Sequence, residues 1–142
     1  MTSAEKISLQ TSNIEILHGL RILVAEDNKI NQMIMKELLS SVGVQVVLVD
    51  NGIKVLERLQ EESFDIVLMD IQMPEMDGLT ATAQIRLDPR YDALPILAMT
   101  ANAGPEHLAE SKSAGMNDHL TKPVEVGQLY STLIKWKKMR KG

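Results

Sequence analysis

Short apolar runs alternate with helix-spaced apolar positions along most of the chain. The first run, Leu20 to Ala25, stops at an acidic corner, and apolar residues at helical spacing follow it from Ile30 to Val42. Gly43 is well placed to end that helix, and Val44 to Val49 form a second run rich in β-branched residues. The pattern therefore predicts a strand, a helix and a second strand as the opening unit.

Three further strands and four further helices are predicted by the same signals. The predicted strands are 65–69, 95–99 and 118–120, and the predicted helices lie at about 55–59, 79–87, 105–114 and 125–139. Strands that alternate with helices favour a parallel sheet covered on both faces, since parallel strands need crossover connections. The sequence predicts an α/β fold, namely a flavodoxin-like doubly wound five-stranded sheet in the order 2-1-3-4-5 with five flanking helices.

The regular pattern divides the chain into three parts. Residues 1–19 are rich in Ser, Thr, Asn and Gln and show no sustained period, so we expect a linker or arm there. Residues 20–139 form the predicted domain, and residues 140–142 form a basic tail. A length of 142 residues fits a single domain with tails.

Composition narrows the function classes. Apolar residues make up 44% of the chain, but no run is long enough for a membrane helix and no signal peptide is evident, so we expect a cytoplasmic protein without membrane contact. The absence of cysteine leaves oxygen or histidine to hold any metal. The net charge is -4 and the basic residues concentrate at the C-terminal end, which disfavours direct nucleic-acid binding.

Polar residues stand where four of the predicted strands end. Glu26 and Asp27 follow the first strand, Asp70 the third, Thr100 the fourth and Lys122 the fifth. The carboxyl ends of parallel strands share one edge, and clustered carboxylates repel one another unless a cation lies among them, for which Mg²⁺ is well suited. A carboxylate nucleophile, a divalent cation, a lysine and a hydroxyl meet the needs of phosphoryl transfer, with Asp70 as the best nucleophile.

Four segments around the predicted site form a recognisable set: 25–28 (Ala-Glu-Asp-Asn), 69–78 (Met-Asp-Ile-Gln-Met-Pro-Glu-Met-Asp-Gly), 99–101 (Met-Thr-Ala) and 121–123 (Thr-Lys-Pro). They resemble the response-regulator receiver family of two-component signalling, most closely the receivers of hybrid sensor histidine kinases. The resemblance covers residues 20–139. It implies that the chain is a phosphoacceptor signalling domain rather than an enzyme, with a histidine kinase or a histidine phosphotransfer protein as its partner.

The resemblance also assigns a role to each site residue. Asp70 would accept the phosphoryl group, and Asp27, Asp70 and the backbone carbonyl of Gln72 would bind Mg²⁺, with Glu26 acting through a metal-bound water. Thr100 would be the switch hydroxyl.

Two further assignments concern the last predicted strand. Lys122 would pair with the phosphoryl group and the carboxylates, and the Lys122-Pro123 bond would be cis. His119 stands where many receivers have a Tyr or Phe as the rotating switch residue, which is a departure from the family pattern. The resemblance leaves homodimer formation open.

Other functions compete with phosphoacceptance. The chain could be a receiver fragment that acts mainly as an interaction scaffold of a hybrid histidine kinase. A flavodoxin-like FMN module would need a hydroxyl-rich and amide-rich loop where Glu26 and Asp27 stand. A magnesium-dependent phosphatase would usually place a general acid at position 72, where this chain has Gln72. His18 and His107 are interpreted as surface residues.

Overall fold

The computed structural model describes residues 14–139, which form a five-stranded parallel sheet in the order β2-β1-β3-β4-β5. The strands are β1 (Arg21–Ala25), β2 (Gln45–Val49), β3 (Ile66–Asp70), β4 (Ile96–Thr100) and β5 (Asp118–Thr121). The helices are α1 (Lys29–Ser40), α2 (Gly52–Glu61), α3 (Gly78–Arg86), α4 (Pro105–Ala114) and α5 (Val126–Met139). The predicted strand order is confirmed, and the predicted strand boundaries differ from the observed ones by at most one residue. The helix predicted at about 55–59 is longer than expected, since α2 runs from Gly52 to Glu61.

Burial along the strands explains why their sequences differ. All five residues of β3 and of β4 are buried, as expected for central strands covered by helices on both faces. The edge strand β2 buries only Val49 fully. The polar residues that end β3 and β4, Asp70 and Thr100, are therefore held on the two most enclosed strands of the sheet.

The sheet separates two apolar cores. One lies on the side of α1 and α5 and includes Leu39 and Leu133, while the other lies on the side of α2 and α3 and includes Val55 and Ile85. Each central strand supplies alternate residues to the two cores, as the period of two along a strand requires. Within residues 14–139, no helix is long and apolar enough to span a membrane.

Short polar side chains begin three of the helices. Asn28, Asn51 and Asp77 each accept a hydrogen bond from the backbone N–H three residues later, which fixes the starts of α1, α2 and α3. These caps stand at the carboxyl ends of the strands, next to the predicted site. At the other end of the sheet, Gly115 ends α4 with a φ of +108°, in the left-handed region that favours glycine.

The described part of the predicted N-terminal arm belongs to the domain. A short 3₁₀ helix, Glu15–Leu17, places Leu17 fully buried in the same core as Leu129 and Leu133 of α5. The Gly19 N–H also donates to the Gly43 carbonyl at 2.8 Å. The interpretation of 14–19 as an arm therefore needs correction. Its apolar residues, Ile14, Ile16 and Leu17, are too few to show a period in the sequence. Residues 1–13 and the predicted tail 140–142 lie outside the described range.

Candidate functional site

The parallel sheet brings the predicted polar residues to one cleft. The cleft has a volume of about 730 Å³ and lies beyond the carboxyl ends of β1, β3, β4 and β5. Its walls include Glu26, Asp27, Asp70, Thr100 and Lys122. The strand order thus places side chains that are far apart in sequence around a common volume, as expected at the switch point of a doubly wound sheet.

Three carboxylates form the negative side of the cleft. Glu26, Asp27 and Asp70 each offer an oxygen, and these oxygens all lie within 4.8 Å of one another. Glu26 is only 1% exposed and Asp70 is 6% exposed, whereas Asp27 is open to solvent. Buried carboxylates at such distances repel strongly, and an all-oxygen donor set of this kind fits a hard divalent cation such as Mg²⁺.

Lys122 supplies the cation that the two buried carboxylates share. Its Nζ donates to Glu26 Oε1 at 3.1 Å, to Glu26 Oε2 at 2.9 Å and to Asp70 Oδ2 at 2.7 Å. The Lys122 backbone N–H donates to the Thr100 carbonyl, which ties the end of β5 to the end of β4. The Lys122-Pro123 peptide bond is cis, the isomer that the resemblance implies.

The shared lysine does not neutralise both acids, and their pKa values diverge. Burial, together with the Glu26 carboxylate, raises the pKa of Asp70 to about 7 against the opposing effect of Lys122. Burial acts in the same direction on Glu26, but hydrogen bonds with Asp70, Lys122 and Asn31 hold its pKa below the ordinary value. Despite the cost of burial, hydrogen bonds to Asp70 and Glu26 raise the pKa of Lys122. Asp70 is therefore the acid whose charge most depends on what else enters the cleft.

The loop after β3 folds back so that Gly78, the first residue of α3, packs against Asp70. An added Cβ at Gly78 would lie 2.3 Å from the Asp70 carbonyl oxygen, so only glycine permits this approach. The Gly78 N–H donates to the Ile71 carbonyl, which closes the loop. Gln72 is exposed in this loop, and its N–H donates to Asp70 Oδ1 at 3.1 Å. Asp70 is therefore held from both sides, by Gln72 and by Lys122.

The two predicted switch residues lie in different surroundings. The Thr100 hydroxyl donates to the Asn102 carbonyl at 2.9 Å and accepts from the Asn102 N–H at 3.0 Å, so it is engaged with the β4–α4 loop rather than with Asp70. His119 is half-buried on β5, and its Nδ1 lies 3.8 Å from Asp118 Oδ1. Among the described residues, the cleft walls include Thr100 but not His119.

Several residues of the cleft walls were not predicted as site residues from the sequence, among them Asn31, Asn102 and His107. His107 is exposed, as expected from the sequence, but it stands at the wall of the cleft rather than on a remote surface. Asn31 had an available signal, because it follows the helix cap Asn28 by three residues and so turns back toward the end of β1.

Comparison with known proteins gives the family. The sequence matches the family described as "Response regulator receiver domain" over residues 22–134. The chain belongs to the response regulator receiver family. The predicted resemblance is thus confirmed.

Relatives of this receiver include parts of much longer kinases. It is 40% identical over 119 residues to the sensor protein GacS of Pseudomonas syringae pv. syringae, and 36% identical over 119 residues to the histidine-protein kinase BarA of Escherichia coli K12. These alignments cover 82% and 84% of the chain but only 13% of either relative's length. The receiver therefore corresponds to one region of such proteins.

Solved structures show the same fold. One is the receiver domain of sensor histidine kinase PA1611 from Pseudomonas aeruginosa PAO1, which was solved with a magnesium ion coordinated in its active site cleft. Its sequence is 38% identical to this chain and the TM-score is 0.79. The match covers 84% of this chain and 98% of that one. The chemotaxis response regulator CheY4 of Vibrio cholerae is 27% identical with a TM-score of 0.78, over 82% of this chain and 98% of that one.

Proposed function

We propose that this receiver accepts a phosphoryl group from a phosphohistidine onto Asp70, in a magnesium-dependent phosphorelay step that switches its surface for signalling. The observation that carries the proposal is the contact of Lys122 Nζ with Asp70 Oδ2 at 2.7 Å, inside a triad of carboxylates whose oxygens lie within 4.8 Å of one another. That arrangement joins a nucleophile, a compact cation and a divalent-cation site in one open cleft.

The proposed reaction is a single phosphoryl transfer. A carboxylate oxygen of Asp70 attacks phosphorus, the phosphorus–nitrogen bond of the donor breaks, and the electron pair returns to the donor's imidazole. Asp27, Asp70 and the Gln72 carbonyl, with Glu26 behind them, would hold Mg²⁺, which supplies charge neutralisation for the phosphoryl oxygens. Lys122, already on Asp70, is positioned to stabilise the same oxygens as a point charge.

Switching follows from the new dianion at Asp70. Its oxygens compete with the Asn102 carbonyl for the Thr100 hydroxyl, whose present bond is 2.9 Å long. Turning this hydroxyl toward Asp70 would break both of its contacts with Asn102 and release the β4–α4 loop. By the family resemblance, His119 on the neighbouring strand would be the switch side chain that follows the movement of Thr100.

A phosphohistidine protein must reach the cleft, and the face of α1 beside it suits such a contact. Ile30 is 69% exposed, Met33 71% and Ile34 49%, although large apolar side chains are costly to leave in water. Ile34 also lines an apolar hollow of about 360 Å³ together with Met35 and Val124, next to Lys122. We propose that this α1 face is where the histidine kinase or phosphotransfer protein docks.

The test is intact-protein mass spectrometry after incubation with acetyl phosphate and Mg²⁺. We expect a gain of one phosphoryl group that disappears with EDTA and in Asp70→Asn. No gain in the wild-type protein under these conditions would contradict the acceptor role and favour the interaction-scaffold alternative.

The docking face is tested by comparing two donors. We expect Met33→Asp to slow transfer from a phosphorylated histidine phosphotransfer protein while labelling by acetyl phosphate stays unchanged, because only the protein donor covers α1. Equal slowing with both donors would place Met33 in the chemistry or the folding rather than in docking.

A further inference from the structure

Asn31 directs its side chain into the acidic site from the first turn of α1. Its backbone N–H donates to Asn28 Oδ1 at 3.0 Å, which is the first half of a capping box. In a capping box the side chain at this position returns to the cap residue, but the Asn31 amide instead donates to Glu26 Oε1 at 2.6 Å. The helix start therefore supplies a neutral donor to a buried carboxylate.

Few hydrogen-bond donors stabilise the buried Glu26 carboxylate. At 1% exposure it is almost closed to solvent. Side-chain hydrogen bonds reach it from Lys122, on both oxygens, from Asn31, on Oε1, and from Asp70. Lys122 is shared, since the same Nζ also donates to Asp70. Any step that draws Lys122 further toward Asp70 weakens its two bonds to Glu26, and a buried carboxylate without donors is strongly unfavourable.

We propose that Asn31 is a positioning residue that keeps Glu26 hydrogen-bonded when Lys122 turns to the phosphoryl group on Asp70. This inference rests on the proposed phosphoacceptor function. In the resting site Lys122 and Asn31 both serve Glu26, so the loss of Asn31 is partly compensated there. In the phosphorylated site Asn31 is the main remaining hydrogen-bond donor to the Glu26 carboxylate. Loss of Asn31 therefore destabilises the phosphorylated state more than the resting state.

Gln32 provides a matched control one residue along the chain. Its Nε2 donates to the backbone carbonyl of Glu26 at 2.5 Å and lies 3.5 Å from the Val49 carbonyl, so it braces the ends of β1 and β2. Gln32 bonds the main chain of Glu26 and not its carboxylate. Removing Gln32 tests what loss of local structure alone does to the site.

The experiment is a titration of each protein with beryllofluoride, a phosphoryl mimic, at saturating Mg²⁺, followed by amide chemical shifts in NMR. We expect Asn31→Ala to weaken beryllofluoride affinity roughly ten-fold, as for a lost hydrogen bond to a charged group. Mg²⁺ affinity without beryllofluoride should change much less. Gln32→Ala should lower the unfolding midpoint but leave beryllofluoride affinity unchanged.

A conservative variant gives the rescue. In Asn31→His, Nδ1 stands at the same number of bonds from Cβ as the amide nitrogen of Asn31, and its N–H can donate to Glu26, so we expect most of the affinity to return. Equal beryllofluoride affinity in the wild-type protein and Asn31→Ala would overturn the inference, as would equal weakening in Gln32→Ala. If the wild-type protein itself does not bind beryllofluoride, the proposed function fails instead.

Discussion

At the amino end of the sheet, the Arg86 guanidinium is surrounded by acceptors that fit it. It donates to the carbonyls of Gly115, Tyr91 and Leu94 and to Asn117 Oδ1, at 2.5 to 3.0 Å. One side chain thereby joins the end of α3 to the segments that enter β4 and β5. Its planar fork matches these positions, and no further ligand is needed to complete them.

At the carboxyl end the charges do not balance. Glu26, Asp27 and Asp70 face one lysine, and burial together with the Glu26 carboxylate raises the pKa of Asp70 to about 7. Comparison of the two ends shows where this fold is built for stability and where it is built for binding. At the amino end the donors of Arg86 are matched by acceptors within the protein, whereas the carboxyl end holds more acids than cations, an excess that a divalent cation would offset.

Removal of the shared lysine is expected to have the largest effect. Lys122→Met should destabilise the metal-free protein at pH 8 by about 3 to 5 kcal/mol, because it leaves buried carboxylates without their cation. Urea unfolding with EDTA measures this loss, and saturating Mg²⁺ should restore part of it. A loss that Mg²⁺ does not reduce would show that Lys122 acts on packing rather than on charge.

Removal of Arg86 should come next, at the opposite end. Arg86→Ala is expected to destabilise the protein by about 3 kcal/mol, since buried carbonyls lose a charged donor. Arg86→Lys should recover only part of this, because an ammonium cannot reproduce the fork. In contrast to Lys122→Met, neither variant should respond specifically to Mg²⁺ in urea unfolding. If Mg²⁺ restored the stability of the Arg86 variants more than that of the wild-type protein, the two ends of the sheet would not differ in the way described.

The third prediction concerns pH and Asp70. The native state binds this carboxyl proton more tightly than the unfolded chain, so Asp70 costs stability as pH rises from about 4, where an unfolded Asp titrates, to about 7. Asp70→Asn removes the ionisation and should stabilise the metal-free protein at pH 8 by about 2 to 4 kcal/mol.

That gain has a defined pH dependence. It should shrink through the window from pH 7 toward pH 4 and vanish below it, as measured by urea unfolding in EDTA at several pH values. The same gain at every pH would mean that the substitution acts through packing, and a loss of stability at pH 8 would contradict the raised pKa of Asp70.

Sequence reasoning reached most of the fold because the fold's signals are local. The apolar runs of β3 and β4 and the caps and stops of the helices are each visible within a few residues of sequence. The alternation of strands and helices predicted a parallel sheet, and the order 2-1-3-4-5 is one of the two common doubly wound orders, the one favoured for five strands. It missed Leu17, whose burial depends on contact with α5 more than a hundred residues later. No local pattern can report such a contact.

For the site, the sequence indicated which residues would lie together but not which contacts their side chains make. Strand ends indicated which side chains would converge, but not that Lys122 contacts two carboxylates at once or that Thr100 turns to Asn102. Those are choices among rotamers, set by side chains that meet only in the folded state. Asn31 was missed for the same reason, although its place after a helix cap was visible in the sequence.

The central claim is that Asp70 carries the phosphoryl group, and reductive trapping tests it most directly. The protein is incubated with acetyl phosphate and Mg²⁺, reduced with borohydride, which converts an aspartyl phosphate to homoserine, and digested for peptide mass spectrometry. We predict homoserine at position 70 and nowhere else, dependent on Mg²⁺. Reduction at another acid, such as Asp27, or none at any, would contradict the account.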